Sequence, residues 1–404
     1  MKVLWQNVHY PDITLGGGGA RNSRHITAAM RKLGHSVTFI SETKVPSETG
    51  SKIVHGAEVL YYLRPQLHER LWIIRGIRNC FGYPQAIAGY APGHDAYFCN
   101  DPEIVFALKK HGRGKPVVCR VEGTRAGDRA SWSSASETSL KTKVFNKILR
   151  AEDDWISKVA WRRCDALLVK SNMIRDELVD WYGMPKSKIA VIPNGVDYQG
   201  FAHAEPDEQV RRELGDSPAQ EIRIGFVGRL SKVKNLEFLL RSFALVKSQN
   251  PCRLVVVGEG EERESLERLA GELGIRERTL FVGHKDNVAP YLAACHIFAL
   301  PSLYETIANC LLEAMSAGLA CVVLRPGANN VRTSSDEVIF EDKTGFLTEG
   351  DDPAHMAQAI TRLVDDAALR ERVGHAAQEE IERRFSWESC AQQYIDLASA
   401  CAGS

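Results

Sequence analysis

No stretch of the 404-residue sequence stays apolar for the ~18 residues that a membrane-spanning helix needs. Charge of one sign is not in excess either. Fifty-one Lys and Arg face 51 Asp and Glu, which argues against a nucleic-acid binder. The ten cysteines are scattered singly, with no Cys-x-x-Cys pair, and Cys252, Cys310 and Cys321 fall in apolar stretches. Reduced core thiols are therefore expected, and disulfides or zinc ligands are not. There is no Gly-x-x-x-x-Gly-Lys-Ser/Thr loop and no Gly-x-Gly-x-x-Gly. Gly258-Glu-Gly260 comes near the second pattern, but Arg263 stands where its third glycine belongs. Asp-x-Asp, a pair of carboxylates spaced to share a metal, is missing too. No internal repeat or low-complexity segment occurs. The first residues, Met1 to Val8, turn polar too soon for a signal peptide and read as a strand. A cytoplasmic protein is expected.

What remains is 44% hydrophobic and 25% charged, the balance of a soluble globular enzyme, and long enough for two domains. The chain alternates strand and helix patterns. Val3–Val8 is followed by Gly16-Gly17-Gly18-Gly19, a helical stretch to Leu33, and a strand over Ser36–Ser41. Strands follow at Glu58–Leu63, Ala96–Cys99, Val117–Val121 and Ala166–Lys170, the last leading to a helix capped at Ser171. A charged stretch from about Ala202 to Glu221 reads as a linker with a short helix. The rhythm then restarts at Ile222. This order predicts α/β architecture with two doubly wound parallel sheets, each taking ligands beyond the carboxyl ends of its strands. Segments 70–78 and 141–150 mix aromatic and basic residues at helical spacing. They suit either an anionic membrane surface or ordinary amphipathic packing.

Chemistry gathers in the second half. Strand Ile297–Pro301 is followed by a turn and a helix to Gly318, with Glu305 expected at the helix start and Glu313 eight residues on. On a continuous helix the two carboxylates stand roughly 12 Å apart, the span from a sugar hydroxyl across a diphosphate to a ribose. Unpaired amides at the helix start suit a phosphate. Gly228-Arg229-Leu-Ser-Lys-Val-Lys234 ends an earlier strand. Gly228 allows close approach, and Arg229 and Lys234 supply the cations that a departing diphosphate requires. Solvated helix faces or a random basic cluster would explain either group by itself.

Taken together, Asn194-Gly195-Val196-Asp197, Gly228-Arg229-Leu230-x-x-x-Lys234, Glu305-x7-Glu313 and Phe385-Ser386-Trp387 resemble the retaining family-4-type glycosyltransferases of GT-B fold. The resemblance spans essentially the whole chain. It implies an acceptor-binding domain over 1–195, a nucleotide-sugar-binding domain over 196–385, and a last helix, 386–404, crossing back to the first. In its terms Arg229 and Lys234 stabilise the diphosphate, with help from the amides of Thr306, Ile307, Ala308 and Asn309. Glu305 holds sugar hydroxyls and Glu313 the ribose. Gly17, Gly18 and Gly19 lie beside the donor phosphates. His284 and Val288, in the loop after a strand at Leu280–Gly283, meet the base. Two positions depart from the pattern. Glu122 stands where a histidine is usual, which leaves three assignments open: orienting an acceptor hydroxyl, binding a cationic acceptor, or holding Arg120 or Arg125. Ala308 stands where glycine is common.

The implied reaction moves a sugar from a nucleoside diphosphate, UDP favoured, to a hydroxyl acceptor in a cleft between the domains. It proceeds with retention and with neither cofactor nor metal. The partners expected are the donor and the acceptor, without nucleic acid, and with a peripheral membrane contact at the inner face as an option. The acceptor stays open among a small molecule, a glycan and a lipid-linked saccharide. A sugar-nucleotide epimerase or hydrolase of the same fold, and a non-catalytic sugar-nucleotide-binding protein, stay open as alternatives.

Overall fold

Strand residues in the first half alternate between two apolar sets, as period-two side chains must when a sheet is covered on both faces. Val3, Trp5, Ala96, Phe98, Val118 and Leu168 belong to one core, and Leu4, Tyr97, Cys99, Cys119, Leu167 and Val169 to the other. The computed structural model describes residues 1–6, 17–43, 47, 49–54, 57–63, 87–89, 91–124, 154–215, 221–327 and 331–403, with backbone alone at 17–21, 42–43 and 62–63. Segments 70–78 and 141–150 lie outside these residues.

The described residues divide into two units: those of Met1–Thr124, 154–195 and Trp387–Gly403 in the first, those of Val196–Ser386 in the second. In the first unit the strands are β1 (Lys2–Gln6), β2 (Ser36–Thr43), β3 (Gly50–Val54), β4 (Ala57–Leu63), β5 (Ala96–Cys99), β6 (Val117–Val121), β7 (Ala166–Val169) and β8 (Ile189–Val191). They lie in the order β3-β4-β2-β1-β5-β6-β7-β8. All neighbours are parallel except β3 and β4. The sequence reading did not foresee β3. Its residues Ser51, Lys52 and Ile53 are exposed, so it carries no apolar stripe to betray it.

The C-terminal helix Trp387–Ala402 covers one face of this first sheet with Cys390, Ala391, Tyr394, Ile395 and Ala398. The Tyr394 ring centroid lies 5.7 Å from those of both Trp5 and Phe98. Lys32, at the end of the helix Gly17–Lys32, pairs with Glu388 at 3.1 Å.

The second unit carries β9 (Ile222–Val227), β10 (Cys252–Val257), β11 (Thr279–Gly283), β12 (Ile297–Leu300), β14 (Ala320–Leu324) and β16 (Gly345–Thr348) in the order β11-β10-β9-β12-β14-β16. Every pairing is parallel. Two further short strands, β13 (Tyr304–Glu305) and β15 (Arg332–Thr333), pair separately. The charged stretch before β9 contains the helix Glu208–Leu214, capped by the Asp207 carboxylate, which accepts from Val210 N at 2.8 Å.

Strand order reverses between β9 and β12, and between β1 and β5 in the first unit. In open parallel sheets such a switch point leaves a crevice, because the two following connections depart to opposite sides. The pairing of β9 with β12 is confined to Ile297↔Ile224 and Phe298↔Gly225, two residues short of either strand's end. The loops carrying Arg229, Lys234 and Glu305 leave from that opening.

Candidate active site

Three strand ends are laced together on the rim of the second sheet. Gly228 N donates to Val257 O at 3.0 Å, Gly258 N to Gly283 O at 2.9 Å, and Leu230 N to Glu259 O at 2.9 Å. Gly258 adopts φ +144°, and a Cβ there would lie 1.9 Å from the Gly228 carbonyl oxygen. This close approach, not a dinucleotide fingerprint, accounts for the glycines at 258 and 260. Past Gly228 the chain makes a single 3-10 turn, Lys232–Lys234, ended by Asn235 in the left-handed conformation.

The segment after β12 is tied to that turn. Leu303 N donates to Val233 O at 2.9 Å, Arg332 N to Leu303 O at 2.7 Å, and Ser334 N to Glu305 O at 3.0 Å. These bonds bring Glu305 against Lys234, and the lysine Nζ donates to the Glu305 carboxylate. The two side chains are only 18% and 22% exposed, so neither charge is well hydrated and each stands in for the other's water. Burial acts to lower the Lys234 pKa, but the Glu305 charge and hydrogen bond outweigh it and raise it. Lys234 is therefore a cation throughout the physiological range. Arg229 is exposed, and its guanidinium has no hydrogen bond or ion pair among the described residues.

Here the sequence expectation needs correction. Glu305 does not begin the helix. It lies on β13, paired in register with Thr333, and the helix is Asn309–Ser316. Only Asn309 to Glu313 of the Glu-x7-Glu interval is helical, so the 12 Å separation reckoned along one helix does not hold. Tyr304-Glu305 is too short a strand for periodicity to announce, and its partner lies far along the chain. Thr306, Ile307 and Ala308 are buried, and Ala308 heads the helix with no side-chain cap. Leu311 N and Leu312 N both turn to Ala308 O. Glu313 sits in the helix, 8% exposed. Burial pushes the neighbouring Cys310 thiol up to about 12, so it stays neutral.

His284 and Val288 follow β11, the outer strand, with β10 between it and β9. His284 is 72% exposed and faces Asp286 at 3.4 Å, while Val288 is half-buried at the start of the helix Ala289–Ala293. Their loop is pinned by Glu213, which accepts from Lys285 Nζ and Tyr291 OH, each at 2.7 Å.

In the first unit, Gly17, Gly18 and Gly19 form the first turn of the helix Gly17–Lys32 and are not a loop. They follow β1 at that sheet's switch point. Asn194 accepts from Arg120 Nη2 at 2.9 Å, and Asp197, in the second unit, caps the helix Tyr198–Ala202 by accepting from Gly200 N at 3.2 Å. Glu122 lies 2.9 Å from the buried Arg120 and 2.7 Å from Lys170 Nζ. Burial acts to raise the Glu122 pKa, but the two cations overcome it and hold the carboxyl down at about 2. Lys170 was missed as a site residue. No local sequence signal marked it: β6 and β7 pair through Val121↔Val169, and only this register makes Glu122 and Lys170 neighbours just beyond adjacent strands.

Among the described residues no group of three or more His, Cys, Asp or Glu could hold a metal ion, and no helix is long and apolar enough to cross a membrane. A family model described as glycosyl transferases group 1 matches residues 207–380, and one described as Glycosyltransferase Family 4 matches residues 16–199. The chain belongs to the family-4-type glycosyltransferases. An uncharacterized glycosyltransferase of Methanocaldococcus jannaschii is 27% identical across 98% of this chain and 97% of its own. Sucrose-phosphate synthase from Thermosynechococcus elongatus superposes with a TM-score of 0.77 at 19% identity, covering 100% of both chains. Anabaena HepE in complex with UDP gives 0.71 at 18%, covering 99% of this chain and 100% of that one. The fold of this glycosyltransferase is accordingly GT-B.

Proposed function

We propose that this glycosyltransferase transfers a hexosyl or N-acetylhexosaminyl group from a nucleoside diphosphate sugar, a UDP-sugar by preference, to a hydroxyl of a small-molecule, glycan or lipid-linked acceptor. The transfer proceeds with retention and needs no metal. The observation that carries the reading is the half-hidden Lys234–Glu305 pair at the switch point, with Arg229, whose guanidinium is unpaired among the described residues, on the same loop as the lysine. A lysine has three donor hydrogens, so Lys234 keeps donors for phosphate oxygens while one is held by Glu305. Glu305 in turn has acceptor capacity for sugar hydroxyls. Arg229 adds a planar, two-pronged donor that suits a phosphate.

As the bond from the anomeric carbon to the phosphate oxygen breaks, charge grows on the diphosphate. Fixed cations in a poorly hydrated site stabilise it more than water would. The acceptor oxygen bonds to the same face of that carbon, and its proton passes to the departing phosphate oxygen. Glu313 is the group proposed for the ribose, and the loop with His284 and Val288 for the base. The preference for UDP draws support from the likeness to HepE, whose structure contains UDP. In the first unit, Glu122 is assigned to holding Arg120 and Lys170 in place beside the acceptor.

Calorimetric titration of the purified protein with UDP- and GDP-sugars, in the presence of a chelator, tests the reading. One donor class should bind, and Arg229→Ala and Lys234→Met should each weaken it at least tenfold, or by ~1.4 kcal/mol. If no nucleotide sugar binds, or if binding is indifferent to both substitutions, the site is wrongly assigned.

A further inference from the structure

Three side-chain hydroxyls around the strand pair that carries Glu305 are buried and have no hydrogen-bond partner among the described residues. They belong to Ser302, Thr333 and Ser334. A hydroxyl taken out of water and left unpaired is unfavourable, so three of them at one short element require a cause.

Their places in the ladder separate them. β13 and β15 run parallel with Glu305 opposite Thr333, and strands so paired lie ~4.8 Å apart with partner side chains on one face. Ser334, the next residue, projects to the other face, and Ser302 precedes β13. Thr333 therefore sets its hydroxyl, with one proton to give, beside the Glu305 side chain.

In the free protein Glu305 accepts from Lys234. In the proposed reaction both side chains turn to the donor, the lysine to phosphate oxygens and the carboxylate to sugar hydroxyls. Once Lys234 is shared with a diphosphate, Glu305 keeps less of the cation that offsets its poor hydration.

We propose that Thr333 is a positioning residue for Glu305. When the donor draws on Lys234, the Thr333 hydroxyl donates to the Glu305 carboxylate and fixes its direction towards the sugar hydroxyls. The inference rests on the proposed donor site and adds the group that orients its carboxylate. Because Glu305 addresses the sugar, the effect of Thr333 is confined to the sugar portion of the donor.

Calorimetry with the UDP- or GDP-sugar that the parent binds, and with UDP or GDP alone, tests this. Thr333→Val should weaken the nucleotide sugar by about fivefold or more and leave the bare diphosphate within about twofold. Thr333→Ser, which keeps the hydroxyl, and Ser334→Ala, which removes the one on the other face, should bind both ligands like the parent. Thr333→Val should also melt no lower than the parent, since it deletes a buried hydroxyl that has no partner in the free protein. The inference is overturned if Thr333→Val binds the nucleotide sugar like the parent. It is equally overturned if that variant melts lower and loses both ligands alike, or if Ser334→Ala loses the sugar to the same extent. A parent that binds neither ligand overturns the donor site itself, and this inference with it.

Discussion

At the residue scale the chain repeats one device: a charge removed from water beside a group of opposite charge. Lys234 has Glu305, and Arg120 has Glu122, with Asn194 satisfying another of its donors. Removing one member of such a pair costs more than the pair ever contributed, because the survivor stays buried and charged. Glu122→Gln should destabilise the first unit by about 2–3 kcal/mol, after allowing for a carboxylate that is 34% exposed. The effect should also depend on pH in a definite direction. The folded-state pKa, about 2, lies below the ordinary 4.5. The stabilisation is therefore complete above about 4.5 and disappears as the pH falls towards about 2. Thermal melts from about pH 7 to about pH 3 should show the gap between parent and variant closing with acid. A gap that stays constant would mean that Glu122 acts through packing and not through charge.

At the scale of elements, the site is made of connections whose course is set by backbone contacts. The β9 and β10 loops pass so near each other that Gly258 has no room for a methyl group. Gly258→Ala should cost at least ~2 kcal/mol, lowering the melting temperature by roughly 4–8 °C in a unit of this size, and should weaken the donor by displacing Gly228 and Arg229. Gly271, inside the helix Arg263–Glu272 with open space where a Cβ would go, provides the control. Gly271→Ala should be neutral or stabilising by about 0.5–1 kcal/mol. Equal melting temperatures for the two variants would contradict the crowding argument. The pair β13 and β15 is another such connection, for it alone carries Glu305 to its place opposite Thr333.

At the scale of the whole molecule, the last helix belongs to the unit that the chain began with. The helix Trp387–Ala402 belongs with Met1–Thr124 and 154–195, and its Tyr394 and Ile395 complete a core with Trp5, Phe39 and Phe98. Ending the chain at Ser386 would expose those rings, a loss upwards of about 5 kcal/mol, comparable to the entire stability of a domain. Scanning calorimetry should then show one transition lost or shifted far down and another close to its original temperature, with dye binding marking the bared apolar face. Two unshifted transitions would show that the helix is dispensable to the first core.

Much of this protein is determined by the sequence taken alone, where the information is local. Continuous apolar runs specify strands at Ala96–Cys99 and Ala320–Leu324 within their observed bounds, because a sheet covered on both faces takes apolar residues at every position. The Gly228-Arg229-Leu230-x-x-x-Lys234 spacing marks the strand–turn element that carries both cations, because one turn after a strand end needs nothing from elsewhere in the chain. The tertiary structure decided what depends on distant partners. Glu305 is a strand residue because Thr333 pairs with it, Glu122 is an ion-pair anchor because Lys170 ends the adjacent strand, and the glycine run continues directly into a helix. β3 escaped notice because its exposed edge gives the chain no apolar period to display. Periodicity and spacing report what a segment requires of its own residues; charge pairing and register arise only once the fold has brought separate segments together.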